Sequence, residues 1–247
     1  MNIAQYLDST YLKTPEQSGI SNEETLQKDK ELAQVAIDNG IFAVMIRPDY
    51  VSEIKKYIQE RNSNVAVGTV IGFHEGTYSV DEKLAEASKA IEDGADELDF
   101  VINYNAYLQG NTELVKDEFV KCTRLALENQ KIAKWIIEIA ALTDEQIADL
   151  TKNISNWAEE NFSENDLPHI FVKSSTGFYE TTGGKPNGAT FEGIKIMLDN
   201  AGRLPVKAAG GVRTPEDAER MINMGVKRIG TSSALALIKN ESSSGGY

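Results

Sequence analysis

Residues 169–177 read HIFVKSSTG, and the prediction of the fold starts from this stretch. The apolar residues 170–172 predict a short buried strand, Lys173 stands at its carboxyl end, and residues 174–177 have the composition of a turn. A lysine at the end of a buried strand is costly, because desolvation penalises the ammonium ion. Taken alone, the stretch leaves two interpretations open: the Lys173 stem packs in the wall while its amine reaches water, or the amine is functional.

A second stretch has the same pattern. Residues 204–214 read LPVKAAGGVRT, which is again a short apolar strand, then Lys207, then a glycine turn. Two strand-end lysines, each followed by a glycine-bearing loop, indicate one active site to which both contribute. The second stretch therefore favours the functional interpretation of Lys173.

Strand-like segments alternate with helix-like segments along the whole chain. The strands are predicted at residues 8–12, 42–46, 65–73, 97–102, 135–139, 170–172, at the start of 204–214 and at 228–230. Capping boxes at residues 79–82 and 143–146 mark helix starts between them. Eight β/α units in about 240 residues predict a parallel sheet closed into a single-domain (β/α)8 TIM barrel. The barrel is predicted over residues 1–240, with a flexible Ser/Gly-rich tail at 241–247.

Composition excludes several classes of function. The net charge of −13 argues against non-specific nucleic-acid or anionic-membrane binding, because both need a basic face. No signal-like or membrane-spanning stretch is evident, and a single cysteine fits a reducing cytoplasm. That residue, Cys122, lies on the apolar stripe of a predicted helix and is predicted to be a core residue. With His74 and His169 far apart in sequence, we predict no metal site and no cofactor.

Charged residues at the predicted strand ends suggest the chemistry, because barrel active sites lie at the carboxyl ends of the strands. They include Asp8, Asp99, Glu138, Lys173 and Lys207. Two ammonium groups about 6 Å apart at an effective dielectric near 20 repel by roughly 2.8 kcal/mol, which lowers one pKa by roughly two units. A neutral lysine attacks carbonyls to form a Schiff base, which is an electron sink for C–C cleavage. Asp99 is the candidate proton relay; the alternative is that it only neutralises a lysine.

Glycines and serines after the last three strands point to the substrate. They are Gly177, Gly210, Gly211, Gly230, Ser232 and Ser233. Loops of this kind commonly bind phosphate in barrels. Ordinary turns and helix caps are the alternative, and three adjacent loops favour the phosphate pocket.

Six stretches carry a resemblance to a known family. They are LDSTYLK (7–13), GADELDFVINYNAYLQGN (94–111), KWIIE (134–138), FVKSSTGF (171–178), VKAAGGVRT (206–214) and RIGTSSAL (228–235). In this order they resemble the 2-deoxyribose-5-phosphate aldolases, class I Schiff-base aldolases built on a (β/α)8 barrel. The resemblance covers nearly the whole chain.

The resemblance implies a role for individual residues. Lys173 is then the Schiff-base lysine, Lys207 lowers its pKa and exchanges protons, and Asp99 relays protons. Substrate-binding positions are implied at Thr10, Gly177, Gly210, Gly211, Gly230, Ser232 and Ser233. Tyr247 resembles a carboxy-terminal tyrosine that folds over the site in some members; a mobile tail is the alternative.

The implied activity is that of a lyase in carbohydrate degradation. It reversibly cleaves 2-deoxy-D-ribose 5-phosphate to D-glyceraldehyde 3-phosphate and acetaldehyde, without metal or cofactor, and the enzyme is expected to be a homodimer or homotetramer. A class I aldolase with another donor and a non-catalytic phosphosugar-binding barrel remain as alternatives. Departures from the family pattern at residues 139–140 and in the longer loop 178–188, which carries Lys185, leave the substrate preference open.

Overall fold

The structure is a computed structural model that describes residues 2–241. Within this range eight parallel strands close into a barrel in chain order, with the last strand paired to the first. The strands are β1 (Leu7–Thr10), β2 (Ala43–Ile46), β3 (Ala66–Ile71), β4 (Glu97–Val101), β5 (Ile132–Ile136), β6 (Ile170–Lys173), β7 (Val206–Ala209) and β8 (Arg228–Thr231). The predicted (β/α)8 barrel is confirmed.

Helices follow the strands and surround the barrel. They are α1 (Pro15–Ser18), α2 (Asn22–Asn39), α3 (Val51–Gln59), α4 (Val80–Glu92), α5 (Tyr104–Leu108), α6 (Thr112–Glu128), α7 (Asp144–Asn161), α8 (Phe191–Asn200), α9 (Pro215–Met224) and α10 (Ala234–Ile238). No helix within residues 2–241 is long and apolar enough to cross a membrane.

The helix starts are encoded locally. Both predicted capping boxes are formed: the Ser79 and Thr143 side chains each accept from the third helical amide, whose own side chain bonds back to the cap. Such a cap is worth about 1 kcal/mol. At α9 the Thr214 side chain accepts from the Asp217 amide, and Pro215 occupies the first turn. These caps satisfy backbone amides that have no partner within the helix.

One strand prediction was shifted. The apolar pattern placed a strand at 135–139, whereas β5 runs from Ile132 to Ile136. The start of this strand was not predicted because Lys134 interrupts the apolar run. The side chain of Lys134 is nevertheless fully buried inside the barrel. At the other end Glu138 has left-handed backbone, with a φ of 57°, so the chain has already left the extended conformation there.

A continuous apolar core lies between the barrel and the helices. Trp135 stacks on Phe100 with 4.9 Å between ring centroids, and its indole nitrogen donates to Thr123 at 2.9 Å. Cys122 is fully buried in this core, as predicted. Burial raises the pKa of its thiol to about 12, so it remains protonated and unreactive.

A buried carboxyl group on α2 stands apart from this apolar packing. Asp29 is 1% exposed, and neither of its carboxylate oxygens has a hydrogen-bond partner among residues 2–241. Burial raises the pKa of Asp29 to about 8. The folded protein therefore keeps this group protonated at pH values where the unfolded chain ionises it.

We expect Asp29→Asn to stabilise the protein increasingly as the pH rises. Between the unfolded pKa, about 4, and the folded pKa of about 8, the folded state binds the extra proton, so stability falls across this window and then levels off. Asparagine removes that loss. Tm measured by calorimetry from about pH 5 to about pH 8 should show a widening gap between variant and parent.

The exposed Asp38 on the same helix supplies the matched control. Asp38→Asn should leave the Tm–pH curve parallel to that of the parent. Parallel curves for Asp29→Asn as well would mean that Asp29 ionises normally in the folded protein.

Candidate active site

Lys173, Lys207 and Asp99 meet inside the barrel. Lys173 is the last residue of β6 and lies in register with Lys207 on β7. Both ammonium groups donate to the same oxygen, Oδ2 of Asp99, at 2.8 and 2.9 Å. Lys173 is 4% exposed, and the other two are fully buried. The structure thus brings together the three residues that the sequence proposed for one site.

Asp99 also belongs to a closed ring of ion pairs, which we call the ion-pair ring. Three acidic and three basic side chains alternate around it, in the order Asp99, Lys134, Glu97, Arg228, Asp8 and Lys207, and the last contacts the first again. The Lys134–Asp99 and Lys134–Glu97 pairs span 2.7 and 2.6 Å, and the Lys207–Asp8 pair 2.5 Å. Lys173 binds Asp99 from outside the ring.

Strand geometry explains where the ring forms. Glu97 and Asp99 are two positions apart on β4, so both side chains leave the same face of the strand. β5, β7, β8 and β1 supply the partners Lys134, Lys207, Arg228 and Asp8. The sequences of β2 and β3 contain no ionisable side chain. The ring therefore joins five of the eight strands across the barrel interior.

Sequence reasoning missed half of this ring. Asp8 had been noted as a strand-end residue, but Glu97, Lys134 and Arg228 had been given no role. The spacing of Glu97 and Asp99 was a signal, since two acids on one face of a buried strand require buried cations. The identity of those cations depends on strand pairing, which the sequence does not display directly.

Electrostatics distinguish the two lysines of the site. Burial lowers the pKa of Lys173 to about 8; Asp99 opposes this shift, and the positive charge of Lys207 adds to it. For Lys207, burial also disfavours the ammonium form, but Asp8 and Asp99 overcome it and raise its pKa. Lys173 is therefore the first of the two to become neutral. Repulsion by Lys207 contributes as expected, but desolvation is the larger cause.

Asp99 stays ionised in this environment. Burial favours its protonated form, yet Lys134, Lys173 and Lys207 hold the pKa of Asp99 well below its usual range. A carboxylate with three cationic neighbours has a full set of donors on both oxygens. It fixes the positions of the amines around it.

Glu138 braces the turn that follows Lys173. Its Oε2 accepts from the Thr176 amide at 3.1 Å and also from the Thr176 hydroxyl, whereas its buried Oε1 has no hydrogen-bond partner among the described residues. Burial raises the pKa of Glu138 to about 7, against the hydrogen bonds of Thr176 and the charge of Lys173. The adjacent Ile139 amide donates to the Ser174 carbonyl at 2.9 Å. The loops after β5 and β6 are thereby joined.

The departure at residues 139–140 is accommodated by apolar packing. Ile139 is 6% exposed, and its side chain packs closely against Gly193 in the first turn of α8. A buried apolar side chain therefore joins the loop after β5 to the start of α8.

The loops after β6 and β7 carry Gly177, Gly210 and Gly211, whereas Gly230, predicted to follow the last strand, lies within β8. Gly177, Gly210 and Gly211 have φ values of 81°, 72° and 77°, a conformation that favours glycine. The Gly210 amide donates to the Gly230 carbonyl at 3.1 Å, and the Asn187 side chain donates to the Gly177 carbonyl at 2.9 Å. The predicted phosphate positions thus lie in adjoining loops and in β8.

Two backbone amides at the predicted phosphate positions are already used by the protein. The Gly210 amide bonds Gly230, as described, and the Ser233 amide donates to the Thr231 hydroxyl at 3.0 Å. The final helix begins directly after Ser233, at Ala234. Gly210 and Ser233 therefore shape the loops through their amides, while Ser232 is exposed at the surface.

Thr10 and Ser232 line a common cavity of about 280 Å³ between β1 and α10. The Thr10 hydroxyl donates to the Asp8 carbonyl at 2.9 Å. Lys185 is exposed in the loop after β6. His169 lies just before β6, at the opposite end of the strand from Lys173. Tyr247 lies outside residues 2–241, which are the residues that the structure describes.

Aromatic rings border the barrel mouth beside the loop that follows β6. Phe178 stacks on His74, with centroids 5.8 Å apart and 20° between the ring planes, and it meets Phe73 edge-on at 5.1 Å.

Residues 2–241 contain no group of three or more histidine, cysteine or acidic side chains placed to hold a metal ion.

Comparison with known proteins places the chain in a family. The sequence profile of the DeoC/LacD family aldolases matches residues 3–240. The deoxyribose-phosphate aldolase of Caldicellulosiruptor saccharolyticus is 36% identical, over 97% of this chain and 98% of its own. That of Thermococcus kodakarensis is 39% identical, over 96% of each chain.

A solved structure agrees with these sequence matches. The tetrameric deoxyribose phosphate aldolase from Aeropyrum pernix superposes with a TM-score of 0.77 at 27% identity, covering 96% of this chain and 89% of its own. The barrel, the buried lysine pair and the sequence matches lead to one conclusion. The chain belongs to the DeoC/LacD family of aldolases.

Proposed function

We propose that this protein is a class I aldolase that reversibly cleaves 2-deoxy-D-ribose 5-phosphate to D-glyceraldehyde 3-phosphate and acetaldehyde. The observation that carries the proposal is Lys173: a buried strand-end amine with a pKa of about 8, held by Asp99 beside a second lysine that stays protonated. Relatives at 36–39% identity that bear the name deoxyribose-phosphate aldolase support the choice of substrate.

Lys173 is the nucleophile in this proposal. Its neutral Nζ attacks C1 of the open-chain sugar, and loss of water from the resulting carbinolamine gives an iminium ion. The two-carbon product contains C1 and C2, so the bond that breaks is C2–C3. Its electron pair moves toward the iminium nitrogen as the C3 hydroxyl loses its proton, which leaves D-glyceraldehyde 3-phosphate and an enamine on Lys173.

Asp99 and Lys207 carry the proton transfers. Lys207 is the protonated member of the lysine pair, and it is positioned as donor for the departing water and for C2 of the enamine. Asp99 holds both amines on a single oxygen and passes protons between them and the substrate. Attack of water on the reprotonated iminium then frees acetaldehyde and restores neutral Lys173. The iminium is the electrophile throughout, so the proposal needs no cofactor.

The sugar phosphate binds in the loops after β6, β7 and β8. Their glycines allow close approach of the backbone to an anion, and Ser232 is exposed at that edge. The positions assigned to substrate are Gly177, Gly210, Gly211, Gly230, Ser232 and Ser233, with Thr10 beside Ser232. Tyr247 is retained as a candidate that reaches the site from the carboxyl terminus.

The proposal extends to the setting of the enzyme. We place it in the cytoplasm, in deoxyribose phosphate catabolism, and the tetrameric relative from Aeropyrum pernix supports a homo-oligomer, either dimer or tetramer. Its partners are then small phosphosugars and aldehydes. Its charge of −13 does not favour nucleic acid or anionic membranes.

We expect acetaldehyde and borohydride to leave an N-ethyl group on Lys173. Reduction traps the imine, and peptide mass spectrometry locates it. Lys173→Met should lose both the adduct and more than about 10³-fold of the retro-aldol rate. Circular dichroism of this variant should match the parent, which controls for folding.

The other outcomes of the trapping experiment are equally informative. An adduct confined to Lys207 would exchange the roles of the two lysines. Labelling of Lys173 no greater than that of exposed lysines, in folded protein, would exclude the aldolase mechanism and leave a phosphosugar-binding barrel. A good adduct with slow cleavage of 2-deoxy-D-ribose 5-phosphate would indicate another donor substrate.

We expect kcat/KM to rise with pH and to level off near pH 8. Only the neutral amine attacks, so below the Lys173 pKa of about 8 the active fraction falls about tenfold per pH unit. Initial rates at low substrate concentration from about pH 6 to about pH 9 measure this limb. A flat profile across this range would contradict a titrating nucleophile with this pKa.

A further inference from the structure

The ion-pair ring reaches far from the reacting amine. Arg228 begins β8 and Glu97 begins β4, so both lie toward the amino ends of their strands, whereas Lys173 ends β6. The Arg228 guanidinium lies over the Phe42 ring at 3.5 Å, and Phe42 immediately precedes β2. Arg228 is 5% exposed and donates to Asp8 and Glu97. Its charged contacts reach Lys173 through the ring, and its guanidinium also lies 6.0 Å from the ring centroid of Phe171, two positions before Lys173 on β6.

The charges of the ring balance without Lys173. Its cations are Lys134, Lys207 and Arg228, and its anions are Asp8, Glu97 and Asp99. Glu97 and Asp99 each contact two ring cations, Asp8 contacts all three, and Asp99 additionally holds Lys173. Lys173 is therefore the one excess positive charge of this buried cluster. An uncompensated buried charge is strongly unfavourable, so the cluster is neutral when Lys173 has lost its proton.

The groups that face Lys173 are few. Asp99 comes from β4, Lys134 from β5 and Lys207 from β7, and Glu138 faces it from the loop after β5. β2 and β3 carry no ionisable side chain. Of these neighbours, Asp99 and both lysines are ring members, so the field at the Lys173 amine depends on the charge state of the ring together with that of Glu138.

We propose that Arg228 and Glu97 are positioning residues of the aldolase: they complete the ion-pair ring, keep Lys134 and Lys207 protonated, and so make Lys173 the lysine that gives up its proton. The inference rests on the proposed function, in which neutral Lys173 is the nucleophile. Without Arg228, three ring anions face two cations, and the Lys173 ammonium supplies the missing charge. Without Glu97, the ring has an excess cation that repels the Lys173 proton.

Charge-neutralising variants at the two positions give opposite predictions. In Arg228→Gln the acid limb of kcat/KM should move up by about one pH unit, which slows the reaction about tenfold at pH 7 and leaves the alkaline plateau within about threefold of the parent. In Glu97→Gln the limb should move down in pH. Arg228→Lys keeps the charge and should keep the limb close to that of the parent.

The double variant separates the effect of charge balance on the acid limb from the effect of lost packing contacts. Arg228→Gln combined with Glu97→Gln restores equal numbers of ring cations and anions, so the limb should return toward the parental pH although two contacts are lost. The pH dependence of acetaldehyde trapping at Lys173 is measured in parallel and should move in the same way. If Arg228→Gln fails to fold, three variants still test the direction in which the acid limb of kcat/KM moves. They are Glu97→Gln, Arg228→Lys and the double variant.

The outcomes separate this inference from the proposed function. A parent without the Lys173 adduct would remove the proposed function itself. A parent that forms the adduct, together with variants that lower the plateau but leave the limb in place, would overturn only the role of the ring and make Arg228 and Glu97 purely structural. Limbs that move in the same direction in both single variants would also overturn it.

Discussion

The carboxylate of Asp99 is the constraint on which the interior of this barrel depends. It holds Lys173 and Lys207 on one oxygen and Lys134 on the other, so a single residue of β4 is bonded to β5, β6 and β7. Three buried ammonium groups without it would repel one another in a medium that does not screen them. The contacts that compensate these buried charges also hold Lys173, the amine that we propose as nucleophile, so stability and the proposed chemistry both depend on Asp99.

Hydrogen bonds also fix the loops at the barrel mouth, next to the buried charges. Glu138, in a left-handed conformation that costs about 1 kcal/mol or more, bonds Thr176 and so fixes the turn directly after Lys173. The Gly210 amide, in the loop after β7, donates to the Gly230 carbonyl within β8. Charge is thus concentrated inside the barrel, whereas the positions proposed to bind substrate are glycines and small hydroxyl side chains at the mouth.

The strand ends and helix starts were predictable from the sequence because short runs of neighbouring residues determine them. Apolar runs ending in Lys173 and Lys207 locate two strand ends, and the capping residues Ser79 and Thr143 locate helix starts. Lys134 was missed because a charged residue interrupts the apolar pattern by which a buried strand is predicted. Arg228 was missed because its partners come from strands that are distant in sequence. The Glu138 backbone was missed as well, since glutamate has no preference for φ above zero. Local signals thus predicted the barrel and the central residues of the site, and the pairing of buried charges required the structure.

Closure of the barrel has a consequence for the newly made chain. Asp8 and Arg228 are 220 positions apart and stand on the first and last strands. The ring, and with it the environment of Lys173, is therefore assembled only after translation has delivered β8. Without the buried neighbours that perturb it, a lysine has its ordinary pKa and is protonated. If Lys173 is the nucleophile that we propose, its reactivity toward aldehydes is therefore expected only after both ends of the barrel have joined.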